Sequence, residues 1–374
     1  MKIHIQRKSF VPAFSLVAGF AAQKELRPIL QCVKIIAEES KVILMATDGE
    51  TGARAEIAFD NPFNIARVGQ ALVPAKLLKK IFDETTDDEI LLELNDTRLT
   101  VKGDKFRYAL DTIAEVDSFP EVHSFDDNAV GFKIAGADLR RMIRHTNFAS
   151  DALNVHFMLA GVKFFFYRDS ALAVATDGRR LAHQKVAATV EGELPENFQE
   201  ASAFFSIRAL KQLQDASKTA EEVVFAVTNE AAQLKVGNVV VHATLKSGRF
   251  PDWERIIPDA DTFKEITFIA GDLFRAVRQA EIVATDDKPG IVFGLETGKV
   301  LISSIGESRG DSVVELPISY EGDEVKIKFD ARYLTDFLNA LAPEEVVHFR
   351  FSPTEYRTLF ETNDSYRYVL MQIS

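Results

Sequence analysis

A tetrapeptide occurs twice in this chain of 374 residues: Ala46-Thr47-Asp48-Gly49 returns as Ala175-Thr176-Asp177-Gly178, 129 positions later. Phe119-Pro120 returns as Phe250-Pro251 after 131 positions. The helical run around Leu77-Leu78 returns around Ala209-Leu210 after 132, and around Tyr333-Leu334 after a further 124. One repeated tetrapeptide means little. Landmarks in one order at one spacing mean a chain built from copies of a unit of about 125 residues, too long for a solenoid repeat and suited to whole domains in series. The length accommodates two or three such domains.

Each unit follows one plan of strand, helix, strands, helix, strands. In the first, Met1–Ile5 alternates polar and apolar, and a helix over Ser9–Ala22 carries Phe10, Phe14, Val17 and Phe20 at helical spacing, with Ser9 as its cap and Pro12 near its start. Strands follow at Val33–Ala37, Lys41–Thr47 and Gly52–Phe59, and Asp48-Gly49 turns the chain between two of them. A second helix over Pro74–Asp83 precedes strands at Ile90–Leu94, Arg98–Lys102 and Phe106–Leu110. The later units repeat the plan, with helices at Ala137–Phe148, Ile207–Ala216, Asp272–Ala284 and Ala331–Ala342, and polar linkers near Glu121–Ala129 and Pro258–Phe263. Two helices on one face of antiparallel sheet make each unit an α+β domain. Long Val, Ile and Phe strands leave sheet edges that invite pairing with another copy.

The N-terminus lacks the apolar core of a signal peptide, and no run reaches the length of a membrane span, so we expect a cytoplasmic protein without a membrane partner. The single cysteine, Cys32, excludes an internal disulfide and reads as a small buried apolar residue. A net charge of −12 argues by itself against nucleic acid, but its distribution matters more. On Pro74–Asp83, Leu77, Leu78, Ile81 and Phe82 form an apolar face, and Lys76, Lys79 and Lys80 fall opposite. Arg140, Arg141 and Arg144 stand opposite Leu139, Met142 and Ile143. Arg208 and Lys211 are three apart, as are Arg275 and Arg278, and Lys24 and Arg27 follow the first helix. Acid gathers instead in Glu84–Glu89, Glu191–Glu200, Asp286–Asp287 and Glu321–Glu324. Either these are ordinary solvated helix faces, or a basic surface on an acidic body holds a polyanion in one place and repels it elsewhere.

Chemistry is sparse. The seven histidines are scattered, with no HExxH, no P-loop, no dinucleotide fingerprint, no nucleophile elbow and no calcium loop, so we expect no metal, no cofactor and no enzyme. Asp48 and Asp177 read either as a catalytic pair or, more simply, as members of repeated Asp-Gly turns.

The segment Val174–Ala182, with its A-T-D-G-R-R-L-A, and Gly248–Pro258, with its G-R-F-P-D, resemble the bacterial sliding clamp, the beta subunit of DNA polymerase III. So do Val73-Pro74-Ala75-Lys76, Phe337–Leu341 and Tyr368–Met371, and the resemblance spans the whole chain in order. It implies three repeated DNA-clamp domains, over residues 1–124, 125–260 and 261–374, each with two helices packed on antiparallel sheet. Two chains would form a head-to-tail homodimeric ring around double-stranded DNA, with helices lining the hole. The implied partners are the DNA polymerase III catalytic subunit, an ATP-hydrolysing clamp loader, and replication and repair proteins that dock linear peptides. DNA contact would fall to Lys24, Lys76, Lys79, Lys80, Arg140, Arg141, Arg144, Arg208, Lys211, Arg275 and Arg278. The peptide pocket would comprise Leu159, Thr176, Gly178, Arg179, Arg180, Leu181, Pro251, Arg255, Ile256, Tyr333, Val369, Leu370 and Met371. Tyr108 and Leu110 would face Ile282 and Val283 of the next chain, with core packing as the competing role for all four.

The chain departs from the family's pattern in three places. Arg179 stands where the family has His, Lys288 replaces a pocket-wall aromatic, and the tail ends Met371-Gln372-Ile373-Ser374 without the usual Pro and basic-apolar close. Two alternatives stand beside the clamp: an adaptor that keeps the pocket without encircling DNA, and a metal-dependent hydrolase using Asp48 or Asp177.

Overall fold

The computed structural model describes residues 1–374 except 25, 60–63, 152–156, 229–230, 246–247, 260, 262, 286–288, 307–308 and 374. Asp286, Asp287 and Lys288 therefore lie outside the described residues. Among the described residues the first repeat runs β1 (Lys2–Gln6), α1 (Arg7–Ala18), β2 (Cys32–Ala37), β3 (Lys41–Thr47), β4 (Thr51–Ala58), β5 (Ile65–Arg67), β6 (Gly69–Pro74), α2 (Ala75–Glu84), β7 (Glu89–Asn95), β8 (Arg98–Lys102) and β9 (Arg107–Asp111). The second runs β10 (Gly131–Ala135), α3 (Gly136–Thr146), β11 (Gly161–Phe166), β12 (Ser170–Thr176), β13 (Arg180–Ala187), β14 (Thr189–Glu191), β15 (Ala201–Ser206), α4 (Ile207–Ala216), β16 (Glu222–Val227), β17 (Ala231–Val236) and β18 (Val239–Thr244). The third runs β19 (Lys264–Ile269), α5 (Ala270–Ala280), β20 (Gly290–Glu296), β21 (Lys299–Gly306), β22 (Gly310–Pro317), β23 (Val325–Asp330), α6 (Ala331–Asn339), β24 (Val346–Phe351), β25 (Arg357–Thr362) and β26 (Tyr366–Met371).

Pairing repeats with the sequence. One antiparallel set is β1-β7-β8-β9, then β10-β16-β17-β18, then β19-β24-β25-β26. The other is β6-β2-β3-β4, then β15-β11-β12-β13, then β23-β20-β21-β22. Two pairings join sets from different repeats: β18 with β4, and β13 with β26. The chain accordingly divides into two compact units that do not follow the repeats: Met1–Leu139 with Thr189–Gln199 and Lys211–Lys246, and Arg140–Ala188 with Glu200–Leu210 and Ser247–Ser374. The first unit holds a nine-stranded and a five-stranded sheet, the second an eight-stranded and a four-stranded one.

The repeated tetrapeptide has a structural cause. Asp48 Oδ1 accepts from the amides of Glu50 (2.9 Å) and Thr51 (2.8 Å), and Thr47 Oγ1 donates to the Thr51 carbonyl (2.7 Å) while accepting from the Gly49 amide (3.0 Å). Asp177 and Thr176 repeat this network: Oδ1 accepts from Arg179 (2.9 Å) and Arg180 (3.1 Å), and Oγ1 bridges the Arg180 carbonyl (2.6 Å) and the Gly178 amide (3.1 Å). Gly49 and Gly178 take φ of 93° and 89°, where a Cβ is strained. Thr, Asp and Gly are thus each consumed by a side-chain-capped turn, which makes both aspartates structural. The repeated Phe-Pro lies in a segment covering sheet. Phe119 and Val122 close over Cys32, Ile43, Met45 and Leu72, and Phe250, Trp253, Ile256 and Ile257 pack on Phe165, Leu172, Val174, Leu181, Leu359 and Val369. Cys32 is buried there, and burial pushes its thiol up to about 11.

Several local expectations change. The first helix starts at Arg7, so Ser9 lies inside it, with its hydroxyl on the Gln6 carbonyl, and Pro12 sits in its second turn. Leu77 is 46% exposed rather than part of the α2 core, which Ala75, Leu78, Ile81 and Phe82 supply. The fifth helix ends at Ala280 and tightens into a 3-10 turn over Glu281–Val283. β5, β6, β14 and β15 were not anticipated; β6 and β15 run straight into helices through Pro74 and Ser206, with no loop between the two elements.

Candidate functional site

In the second unit, the β12–β13 turn, the Trp253–Ile256 turn, the start of β25 and the end of β26 enclose a cavity of about 260 Å³. Its lining is Thr176, Gly178, Arg179, Arg180, Arg255, Ile256, Arg357, Val369 and Met371. Register explains the grouping. β13 and β26 pair Arg180 with Leu370 and Leu181 with Val369, and the Met371 amide donates to the Arg179 carbonyl at 3.1 Å. Alternation along β26 then sends Val369 and Met371 to one face and Tyr368 and Leu370 to the other. Leu181 and Val369 are essentially fully buried in the cluster below the cavity, each stabilising it by roughly 2 kcal/mol.

The structure thus brings eight of the expected pocket residues together and adds Arg357. Leu159, Leu181, Pro251, Tyr333 and Leu370 are not part of the lining. Leu370 is wholly buried on the opposite face of its strand, and Leu181 belongs to the core beneath. Tyr333 acts at one remove: its carbonyl accepts from the Tyr368 hydroxyl (2.9 Å), and its ring lies 4.4 Å from the Arg180 guanidinium carbon.

Arg180 is a buried strut rather than an open contact. Its Nε donates to Asp177 Oδ2 (2.9 Å), Nη1 to Asp336 Oδ2 (2.7 Å) and Nη2 to the Phe148 carbonyl (2.6 Å). Arg357 straps the cavity wall: Nη1 reaches the carbonyls of Arg255 (3.0 Å) and Ile256 (3.3 Å), while Nε and Nη2 grip Glu355 at 3.1 and 2.9 Å. Sequence offered no sign of Arg357, because its role depends on a turn 101 residues away.

The basic helical residues divide by environment. Lys24, Lys76, Lys80 and Lys211 are exposed in the first unit, where Lys79 pairs with Asp83 at 2.7 Å. In the second unit Arg144 and Arg208 are exposed, Arg140 is half-buried, and Arg141 reaches Asp364 at 3.0 Å. Arg275 pairs with Asp272, and Arg278 with Glu281 at 2.7 Å. Such surface pairs are worth about 1 kcal/mol or less and exchange readily for a stronger anion. At the remaining expected contact, Tyr108 is 42% and Ile282 71% exposed, Val283 is half-buried, and Leu110 packs into its own sheet instead of facing outward. Among the described residues no cluster of three or more His, Cys, Asp or Glu side chains could hold a metal ion, and no helix is long and apolar enough to cross a membrane.

A threefold strand-helix repeat on antiparallel sheet, with a cleft beside the last strand, is the plan of a DNA clamp. The family models for the N-terminal, central and C-terminal domains of the DNA polymerase III beta subunit match residues 1–123, 133–252 and 254–374, and the chain belongs to that family. It is 27% identical over 377 residues to the beta sliding clamp of Pseudomonas putida, covering 99% of each chain. The crystal structure of the DNA polymerase III subunit beta from Pseudomonas aeruginosa superposes with a TM-score of 0.90 at 26% identity, covering 100% of both chains. A sliding clamp from the same organism bound to griselimycin matches with a TM-score of 0.90 at 25% identity, covering 100% of this chain and 99% of that one.

Proposed function

We propose that two copies of this chain close head to tail into a ring that encircles duplex DNA without reading its sequence, and that the cavity beside Met371 holds linear peptides of the proteins the ring carries. Three clamp domains, residues 1–124, 125–260 and 261–374, supply half the ring. The carried partners are the DNA polymerase III catalytic subunit and other replication and repair proteins, a clamp loader opens the ring, and the clamp itself, working in the cytoplasm, catalyses nothing. Lys24, Lys76, Lys79, Lys80, Lys211, Arg140, Arg141, Arg144, Arg208, Arg275 and Arg278 meet phosphates, so binding is salt-dependent and retention comes from topology rather than grip.

One observation carries the ring. Of the equivalent strand edges in the three repeats, β4 is paired by β18 and β13 by β26, which leaves β22 and β9 each paired on one side only. An open β22 edge with exposed Ile282, Ile305 and Val313 nearby suits pairing with a second copy. The third repeat of one chain then meets the first repeat of the next, a heterologous contact that closes after two copies. Gly306 supports that edge, because a Cβ there would lie 1.8 Å from the Val283 carbonyl oxygen. Light scattering tests the reading. A particle of twice 41.7 kDa supports the ring, and a monomer at micromolar concentration supports an adaptor that does not surround DNA.

A further inference from the structure

We infer that a second cavity in the same unit, between Lys185, Arg367 and His183, binds a small phosphate-type anion, either inorganic phosphate or the phosphoryl group of a small ester. The site is separate from the cavity beside Met371 and does not depend on its role.

This cavity measures about 500 Å³, and His183, Lys185, His348, Arg350, Glu361 and Arg367 are among its lining. Register builds it. His183 on β13 pairs with Arg367 on β26, Arg367 with Glu361 on β25, and Glu361 with His348 on β24, so these side chains share one face of the sheet. The other face carries Tyr366 and Tyr368, whose hydroxyls donate to the carbonyls of His145 in α3 (2.7 Å) and Tyr333 in α6 (2.9 Å). The cavity therefore opens on the side of the sheet away from these helices. Its edge is fixed by the β25–β26 turn, where the Lys185 amide donates to the Ser365 carbonyl at 3.3 Å and Gln184 Nε2 to the Asp364 carbonyl at 2.7 Å.

Both carboxylates of the lining are already engaged. Glu265 meets His348 Nδ1 (2.7 Å) and Arg350 Nε (3.0 Å), and Glu361 meets Arg350 Nη1 (3.4 Å) and Arg367 Nε (2.7 Å). Three cations, Lys185, Arg350 and Arg367, thus face two carboxylates. The surplus charge lies at Lys185, whose exposed side chain has no hydrogen-bond or ion-pair partner among the described residues, and the terminal nitrogens of Arg367 have none either. His183 is the second sign. It is 9% exposed, and its buried Nδ1 has no hydrogen-bond partner among the described residues. A buried polar atom left without a partner is costly, and one set among unspent cationic donors marks a place for an acceptor.

A phosphate accepts from several sides at once. The Lys185 ammonium and the free end of the Arg367 guanidinium supply charge-assisted donors, and burial keeps the His183 ring neutral, so its Nδ1–H tautomer adds a third. A carboxylate presents only two oxygens in one plane. The volume exceeds that of the ion itself and leaves room for the small substituent of an ester.

Trp253, the single tryptophan of the chain, stands edge-on to His183 at 5.4 Å and reports on the site. The full-length protein is titrated with inorganic phosphate and, separately, with glycerol 2-phosphate, followed by tryptophan fluorescence and calorimetry at an ionic strength held constant with sodium chloride. Saturable binding is expected, with a Kd of about 1 mM or tighter. Tighter binding of the ester names an esterified phosphate as the occupant, and tighter binding of inorganic phosphate names the free ion. Lys185→Gln and Arg367→Gln, both exposed positions checked for folding by circular dichroism, should each weaken binding about tenfold. Lys218→Gln, which removes an exposed lysine from the other unit, should leave it unchanged. Absence of saturable binding overturns the inference. So does binding undiminished in both site variants, which places the anion elsewhere, or binding weakened equally by Lys218→Gln, which makes it a general attraction to positive charge.

Discussion

Arg180 donates to Asp336 at 2.7 Å, and the same position one repeat earlier is a Thr51 hydroxyl donating to Gln212 at 3.2 Å. The correspondence extends further. Arg180 also reaches the Phe148 carbonyl at 2.6 Å, and Gln212 reaches the Gly19 carbonyl at 2.9 Å. Each junction therefore ties an Asp-Gly turn, the end of the repeat's first helix and the second helix of the following repeat into one knot. A guanidinium ties one knot, and a hydroxyl and a side-chain amide tie the other.

That difference predicts unequal costs. Arg180→Ala leaves the Asp177 carboxylate, only 11% exposed, without its cation, and should lower stability by about 3 kcal/mol. Thr51→Ala removes a hydroxyl that reaches Gln212 at 3.2 Å and the Asp48 carboxylate at 3.3 Å, leaves no cation missing, and should cost about 1 kcal/mol. Urea unfolding of the two variants side by side checks the ranking, and an equal or reversed order contradicts it.

His145 predicts a loss of stability in mild acid. Gln184 Nε2 donates to the carbonyls of Lys185 (2.8 Å) and Asp364 (2.7 Å), which leaves its oxygen to accept from His145 Nδ1 at 2.7 Å and fixes the neutral tautomer. Burial, reinforced by Arg144 and Arg141 nearby, outweighs that hydrogen bond and lowers the imidazole from 6.5 to about 4. The unfolded chain takes up a proton below pH 6.5 and the folded chain resists it. The stabilisation is therefore complete above 6.5 and is lost as pH falls toward 4, by up to about 3 kcal/mol. Urea midpoints at pH 7.5 and pH 5 should differ, and His145→Gln should narrow the gap. An unchanged gap in that variant assigns the acid sensitivity elsewhere.

The internal junctions also predict the register between copies. β4 and β18 pair Gly52 with His242 and Ala53 with Val241. Carrying that register through the equivalent strands sets Asp311 of β22 opposite Ala109 of β9 in the neighbouring chain. Both residues are exposed. Ala109→Cys with Asp311→Cys in one chain should therefore form two cross-links per ring under mild oxidant, yielding a covalent dimer on a denaturing gel. Shifting one cysteine to Lys102 should not, and equal cross-linking by both pairs would mean nonspecific collision.

The repeats, the helices and the basic faces were legible in the sequence because spacing and periodicity are local properties. Roles set by register were not. Leu370 and Met371 are neighbours in sequence and differ only in which side of β26 they occupy, so one is core and the other lines the cavity. Arg180 reads as an open contact until Asp336, 156 residues away, is seen beside it. Leu110 reads from sequence either as an outward contact or as core, and its strand turns it inward, opposite Leu99.

The central claim is enclosure of a duplex by a closed ring, and retention on circular DNA measures it most directly. After loading onto a nicked circular plasmid, the protein should stay with the plasmid through gel filtration at elevated salt and leave when a single restriction cut linearises it. Equal release from circle and line would mean the protein holds DNA by contact alone, and the account would fail.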